Sequence, residues 1–229
     1  MVCRIIFDLD DTLLQSGKYY NRQLDEFASF VLENFSELHT KQEVLDRYNL
    51  IDRQVIEKIG LVREHFPLSM VKTWQFYCDR FGRPERERER VKCRRIGEAV
   101  YEVIPEPLPG AFQVLDQLAD RFDLLLYTMG DVEIQTNKIR YHQLERWFDE
   151  FHIFPYKDSD TLSRVVPPYP PERVSVVGDS LRGEVEPAIE LGLRPVHVQS
   201  DFPWNYHEVD VETDYPSVSA LPEVLQHLP

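Results

Sequence analysis

Cysteine is scarce in this 229-residue chain, which has three: Cys3, Cys78 and Cys93. Their number is odd and no pair has C-x-x-C spacing, so we interpret them as packing residues and expect neither a disulfide framework nor a zinc site. Apolar runs of the roughly 18 residues that a membrane span needs are also lacking. The start of the chain has neither the basic region nor the cleavage site of a signal peptide, so we expect a cytoplasmic protein without membrane partners.

Positive charge is the second shortage. Lysine and arginine number 26 against 40 aspartates and glutamates, a formal net charge of −14 at pH 7. Sequence-independent binding of nucleic acid or of an anionic membrane needs a basic surface, so neither is expected as a partner. An anionic small molecule would have to be bound by local positive charge, from a metal ion or a few placed lysines and arginines.

The apolar pattern predicts an α/β protein with an insertion. Continuous apolar strands alternate with helices, which is typical of a doubly wound parallel sheet of Rossmann-like type covered on both faces. After the first strand, which ends at Asp8, the predicted strands are 122–128, 151–154, 174–178 and 195–199. The predicted helices of this part are 111–121, 132–142 and a helix ending at Leu191, with a proline-broken stretch up to Pro171 and only weak structural signal after Asp201.

Residues 16–103 have a different pattern. Apolar residues at helical spacing form three stripes, starting at Tyr20, Val44 and Val71, and a fourth helix is predicted over 84–103. The proline-rich segment 105–110 then breaks any helix. We therefore expect a catalytic core made of residues 1–15 and 104–229, with a helical bundle over 16–103 inserted as a cap.

Reactive residue types stand where three predicted strands end. The first strand ends at Asp8 and leads to Asp10, another ends at Thr128, and another at Gly178-Asp179. Each alone is compatible with an ordinary turn or helix cap, since Asp, Thr and Ser are favoured there. In a parallel sheet, however, ligands bind beyond the carboxyl ends of the strands, so the three together predict a chemical site. Two crowded carboxylates such as Asp8 and Asp10 are tolerated where a divalent cation neutralises them or where one donates a proton.

These motifs resemble those of the haloacid dehalogenase superfamily, specifically its phosphatases with a helical cap between the first and second motifs. The first motif, D-x-D-x-T after an apolar strand, is matched by residues 8–12. The second is matched by Thr128, the third by Lys157, and the fourth by Gly178-Asp179 with Glu184 as the second acid. The resemblance covers nearly the whole chain, with the order and spacing of the motifs intact.

The resemblance implies a Mg²⁺-dependent phosphohydrolase that cleaves a small phosphorylated metabolite through an aspartyl phosphate. It assigns Asp8 as the nucleophile and Asp10 as the proton donor and acceptor, with Thr128, the Met129 amide and Lys157 holding the phosphoryl group. The metal would be bound by Asp8, the backbone carbonyl of Asp10 and Asp179. Glu184, the other metal-binding candidate, stands where an Asp is more usual, and its longer side chain favours contact with the metal through water over direct ligation. A Glu in the first turn of a helix is also favoured by the helix dipole without any metal, so both interpretations stay open here.

Lys138 and Asp11 are two further charged residues whose place in or outside the predicted site has to be decided. Lys138 competes with Lys157 for the third motif, but it falls inside a predicted helix, so we expect Lys157 in the site and Lys138 facing solvent. Asp11 stands where many relatives have Gly, and we interpret it as a turn or cap residue.

Other functions remain open at this point. A phosphomutase of the same superfamily would share these motifs. A receiver domain switched by phosphorylation combines similar residues but fits about 120 residues and places its acceptor on a later strand. A non-catalytic binding module would be expected to have lost some of Asp8, Asp10, Lys157 and Asp179, and all are present. The sequence leaves the physiological substrate open, and the protein is expected to be a monomer or a homodimer.

Overall fold

The computed structural model describes residues 3–166 and 169–229. Part of the predicted proline-broken stretch, residues 167 and 168, therefore lies outside the described residues, as do the first two residues of the chain.

One parallel sheet of six strands forms the centre of the core. The strands are β1 (Arg4–Phe7), β2 (Asp123–Met129), β3 (Glu150–Phe154), β4 (Val174–Gly178), β5 (Arg194–Val198) and β6 (Ser217–Val218). Their order is β3-β2-β1-β4-β5-β6, and every neighbouring pair is parallel. The predicted α/β fold with a parallel sheet is thus confirmed. β6 was not predicted, because two residues in an acidic, proline-containing tail are too short to produce a strand pattern.

Both faces of the sheet are buried, and alternate residues of a strand serve opposite faces. Ile5 and Phe7 of β1 belong to a cluster on one face, and Ile6 belongs to a cluster on the other. In β2, Leu124 and Leu126 join the first cluster, while Leu125 and Tyr127 join the second. This two-sided burial is the reason that the strands read as continuous apolar runs.

Eight α-helices are found in the described residues. They are α1 (Gly17–Asn34), α2 (Lys41–Ile59), α3 (His65–Arg80), α4 (Glu87–Glu98), α5 (Ala111–Leu118), α6 (Val132–Tyr141), α7 (Ser159–Ser163) and α8 (Glu186–Glu190). A π-helical turn, Leu181–Val185, precedes α8. Asp131 is the N-cap of α6, since its side chain accepts hydrogen bonds from the amides of Glu133 at 3.0 Å and Ile134 at 3.2 Å.

The chain divides into two compact units. One consists of residues 1–17 and 105–229 and contains the sheet, and the other consists of residues 18–104 and contains most of the first four helices. The helical unit has its own apolar interior, in which Trp74, Tyr48 and Phe27 are among the large buried side chains. Cys78 and Cys93 are buried there without a disulfide, in keeping with a packing role.

None of the helices in residues 3–166 and 169–229 is both long and apolar enough to cross a membrane.

The stability of the helical unit should depend on pH through Asp52. Burial raises the pKa of this carboxyl above its ordinary 3.8, although the Tyr48 hydroxyl donates a hydrogen bond to it at 3.2 Å. The folded form therefore holds a proton that the unfolded chain releases, so the contribution to stability is full at low pH and is lost as the pH rises through the folded pKa. We expect Asp52→Asn to reduce this loss, as measured by urea unfolding at a series of pH values.

Asp46→Asn is the matched control, since Asp46 is exposed on the same helix. It should keep the pH dependence of the wild type. An Asp52→Asn protein that loses stability with rising pH as steeply as the wild type would contradict the prediction.

Candidate active site

The end of β1 places Asp8 beside Asp179. The Asp8 amide donates to the Val177 carbonyl of β4 at 2.9 Å, which extends the parallel pairing by one residue. Asp179 follows Gly178, the last residue of β4. Both carboxyl groups are buried, with Asp8 5% exposed and Asp179 8% exposed. Adjacent parallel strands thus bring the first and fourth motifs together at the carboxyl edge of the sheet.

A tight turn follows Asp8. The amides of Leu13 and Leu14 both donate to the Leu9 carbonyl at 2.9 Å, and Asp11 has a left-handed backbone with φ of 58°. Glycine adopts this conformation without cost and Asp tolerates it better than most residues, which accounts for an Asp at this position. The Asp11 carboxylate accepts a hydrogen bond from the Gly17 amide at 2.8 Å. This geometry is that of a turn residue.

Lys157 lies between two acids. Its Nζ forms an ion pair with the Asp8 carboxylate and another with Glu184 Oε1 at 2.5 Å. The Lys157 side chain is only 1% exposed. Burial alone lowers the pKa of this ammonium group, but the charges of Asp8 and Glu184 outweigh burial and raise it. Lys157 is therefore a buried, permanently charged group in contact with the Asp8 carboxylate.

Glu184 has both carboxylate oxygens occupied. Oε1 contacts Lys157, and Oε2 accepts a hydrogen bond from the Ser180 amide at 2.9 Å. Burial raises the pKa of Glu184 to about 7, although the Lys157 charge lowers it. This arrangement favours contact with a metal through water over direct ligation, and the metal role itself stays a prediction.

Gly178 allows Glu184 to approach the strand end. A Cβ atom at position 178 would overlap Cγ of Glu184 and would lie 2.7 Å from its Cδ. Any other residue would therefore displace Glu184, and with it one of the two partners of Lys157. The glycine of the fourth motif is required by this close approach.

Thr128 is buried at the end of β2, next to Gln135 of α6. Gln135 Nε2 donates to Thr128 Oγ1 at 2.7 Å, so the hydroxyl hydrogen can be donated to another acceptor. The Gly130 amide donates to Phe154 of β3, and amides of consecutive strand residues point to opposite sides. The Met129 amide accordingly points to the β1 side, where Asp8 lies.

The prediction that Lys138 faces solvent is wrong. Its side chain is 7% exposed, and its Nζ lies 2.6 Å from Asp10 Oδ1. Gln135, Lys138 and Ile139 are the buried residues of α6, which have the i, i+3, i+4 spacing of a single helix face. The sequence reasoning overlooked Gln135, and this spacing was the signal that could have identified both residues.

Two histidines contact Asp179. His207 Nδ1 lies 3.2 Å from Asp179 Oδ2, and His197 Nε2 lies 3.0 Å from the Asp179 backbone carbonyl. Burial, followed by the charge of Asp8, raises the pKa of Asp179 well above its ordinary value. His207 was missed, because it lies in the tail where the sequence pattern is weak.

The site carries an excess of acidic groups. Two lysines, Lys138 and Lys157, stand against five carboxyl groups, those of Asp8, Asp10, Asp11, Asp179 and Glu184. Because positive charge is short in the site, Asp11 holds its proton to a higher pH than usual. Its pKa is raised to about 8 by burial and then by the negative charge of Asp179. Within the described residues, no three His, Cys, Asp or Glu side chains converge as a ready metal site. Crowded, buried carboxylates nevertheless fit a hard divalent cation, since Mg²⁺ takes few protein oxygens and keeps several waters.

No protein-family model and no curated protein sequence matches the chain. Solved structures do. A haloacid dehalogenase-like family hydrolase from Xanthomonas campestris is 25% identical with a TM-score of 0.77, and the match covers 98% of this chain and 91% of that one. The chain belongs to the haloacid dehalogenase-like superfamily.

Other structures of this superfamily are similar at lower identity. The hydrolase YfnB of Bacillus subtilis, determined with bound magnesium, is 18% identical with a TM-score of 0.65 and coverages of 98% of this chain and 97% of that one. A Haemophilus somnus protein described as a predicted phosphoglycolate phosphatase is 17% identical, with a TM-score of 0.63 and the same coverages. L-2-haloacid dehalogenases are also similar, at 17% and 13% identity. Fold similarity alone therefore leaves two reaction classes for this haloacid dehalogenase-like protein.

Proposed function

We propose that this haloacid dehalogenase-like protein is a Mg²⁺-dependent phosphatase that hydrolyses a small phosphorylated metabolite through an aspartyl phosphate. One observation carries the proposal. A second carboxyl group, Asp10, lies two residues after Asp8 and is held by hydrogen bonds from Lys138 at 2.6 Å and Gln135 at 2.8 Å.

The leaving group separates the two reaction classes. A halide leaves carbon as a stable anion and needs no proton, whereas an alcohol leaving phosphorus departs as a strongly basic alkoxide unless a proton is supplied. A dehalogenase accordingly has no use for an acid at position 10, and a phosphatase does. The presence of Asp10, together with the organised contacts around it, favours phosphoryl chemistry.

The proposed reaction has two steps. In the first, an Asp8 oxygen attacks phosphorus, the bond from phosphorus to the leaving oxygen breaks, and protonated Asp10 gives its proton to that oxygen. In the second, Asp10 takes a proton from a water molecule that attacks the phosphorus of the aspartyl phosphate, which restores the Asp8 carboxylate. Asp10 thus acts as acid and then as base, and its proton balance closes over one turnover.

Three groups would hold the phosphoryl oxygens. The Thr128 hydroxyl has a hydrogen to donate, the Met129 amide points to the β1 side, and Lys157 supplies a positive charge in contact with Asp8. A Mg²⁺ ion bound by Asp8, the Asp10 carbonyl and Asp179 would offset the negative charge of nucleophile and substrate. Glu184 would contact this Mg²⁺ ion through a water molecule, and His207 and His197 would hold Asp179 in position.

The test is release of inorganic phosphate from 4-nitrophenyl phosphate, measured with Mg²⁺ and with EDTA. We expect turnover that depends on the added metal. A parallel assay for chloride release from 2-chloropropionate tests whether the protein is a haloacid dehalogenase instead. Chloride release without phosphate release, or phosphate release that is equally fast in EDTA, would overturn the proposal.

If phosphate release is observed, the substrate class can be narrowed with a panel of phosphorylated sugars, glycolytic acids and nucleoside monophosphates at equal concentration. The ratio kcat/KM across the panel is the relevant measure, because it compares binding of the transition states.

A further inference from the structure

We infer that Lys138 and Gln135 are positioning residues that hold Asp10 in place for proton transfer to the leaving group. The inference rests on the proposed phosphatase activity. Neither residue belongs to the four sequence motifs that this chain matches.

Two donors from one helix face hold the two oxygens of Asp10. Lys138 Nζ contacts Oδ1 at 2.6 Å, and Gln135 Nε2 contacts Oδ2 at 2.8 Å. Ser16 donates a further hydrogen bond to Oδ1. The carboxyl group is therefore fixed in position and in orientation.

The burial of Lys138 indicates a specific purpose. Lysine is normally kept at the surface, and a lysine on a ten-residue helix such as α6 could have been placed on an exposed face. Instead its side chain is 7% exposed, and its ammonium group is paired with Asp10.

Gln135 links Asp10 to the phosphate-binding end of β2. Its Nε2 also lies 2.7 Å from Thr128 Oγ1 and 3.0 Å from the Met129 carbonyl oxygen. One amide group thereby sets the distance between the proposed proton donor and the proposed phosphoryl ligand. Proton transfer over a hydrogen bond is sensitive to such placement, since small misplacements of a catalytic group cost large factors in rate.

A comparison of leaving groups can detect this positioning. The 4-nitrophenolate ion is a weak base and leaves phosphorus with little help, whereas an alkoxide needs the proton from Asp10. Loss of the Asp10 position must therefore slow alkyl phosphates more than aryl phosphates. A substitution that only loosens the fold would slow both substrates by the same factor.

The experiment compares Lys138→Met with the wild type on an alkyl substrate, glycerol 3-phosphate, and on 4-nitrophenyl phosphate, both with saturating Mg²⁺. We expect kcat to fall by about 100-fold for the alkyl ester and by about tenfold for the aryl ester, with KM nearly unchanged, because general acid catalysis contributes factors of this size. Lys138→Arg should recover part of the alkyl activity. Arg140→Met, an exposed basic position of the same helix, is the control and should match the wild type on both substrates.

Gln135→Met provides a second test that leaves the ion pair of Asp10 in place. Its kcat should also fall more for the alkyl ester than for the aryl ester, but both losses should be smaller than those of Lys138→Met. Equal losses on both substrates for Lys138→Met, or for Gln135→Met if the lysine variant does not fold, would overturn the inference. If glycerol 3-phosphate is not turned over by the wild type, the best alkyl substrate of the metabolite panel takes its place. Absence of Mg²⁺-dependent phosphate release in the wild type would instead refute the proposed function, so the two failures are distinct.

Discussion

Asp8→Asn should abolish phosphate release, with kcat lowered by at least about 10⁴-fold, as for the loss of other enzyme nucleophiles. The reason is chemical. An amide oxygen is a poor nucleophile toward phosphorus, and the substitution puts an amide in the place of the Asp8 carboxylate. The measurement is phosphate release from 4-nitrophenyl phosphate under conditions where the wild type is saturated with substrate and Mg²⁺.

Asp8→Asn has nearly the shape of the wild type, and Lys157 keeps its contact with Glu184 at 2.5 Å. The variant should therefore fold, which circular dichroism and thermal unfolding can establish. Acid quenching of the wild-type reaction with ³²P-labelled substrate should leave label on the peptide that contains Asp8, and the variant should carry none. A fall in kcat that is much smaller than about 10⁴-fold in a folded Asp8→Asn protein would contradict the assignment of Asp8.

Lys157→Met should destabilise the core by about 3–5 kcal/mol, because it leaves Asp8 and Glu184 buried without their shared positive partner. The same change should lower kcat by at least about 100-fold, since a charge next to the reacting phosphoryl group is lost. Urea unfolding of the metal-free protein measures the first effect, and the phosphate assay measures the second.

Lys41→Met is the matched control for stability. Lys41 also forms an ion pair, with Asp25, but both side chains are largely exposed. Exposed pairs contribute at most about 1 kcal/mol, so this variant should unfold close to the wild type. Losses of similar size in the two variants would mean that burial of Lys157 between two acids has no special energetic importance.

The strands of the core were predictable for a simple physical reason. Parallel strands covered on both faces need apolar residues at nearly every position, and runs such as Ile5–Phe7 and Leu124–Tyr127 stand out in the sequence. Their ends were equally visible, because the first polar residues after each run are Asp8, Thr128 and Asp179. The short strand β6 could not be predicted, since its two residues pair with β5 only after the tail has folded back.

The sequence by itself therefore determined which reactive side chains stand at strand ends, since that depends on local apolar runs and on the common edge that parallel strands share. Tertiary structure alone decided which of them acquire partners. Lys138 and Gln135 reach Asp10 across more than 120 positions of the chain, and this contact depends on how α6 is rotated against the sheet. His207 reaches Asp179 through the packing of a tail with little pattern of its own. Such contacts follow from the packing of whole elements, which no local window of residues encodes.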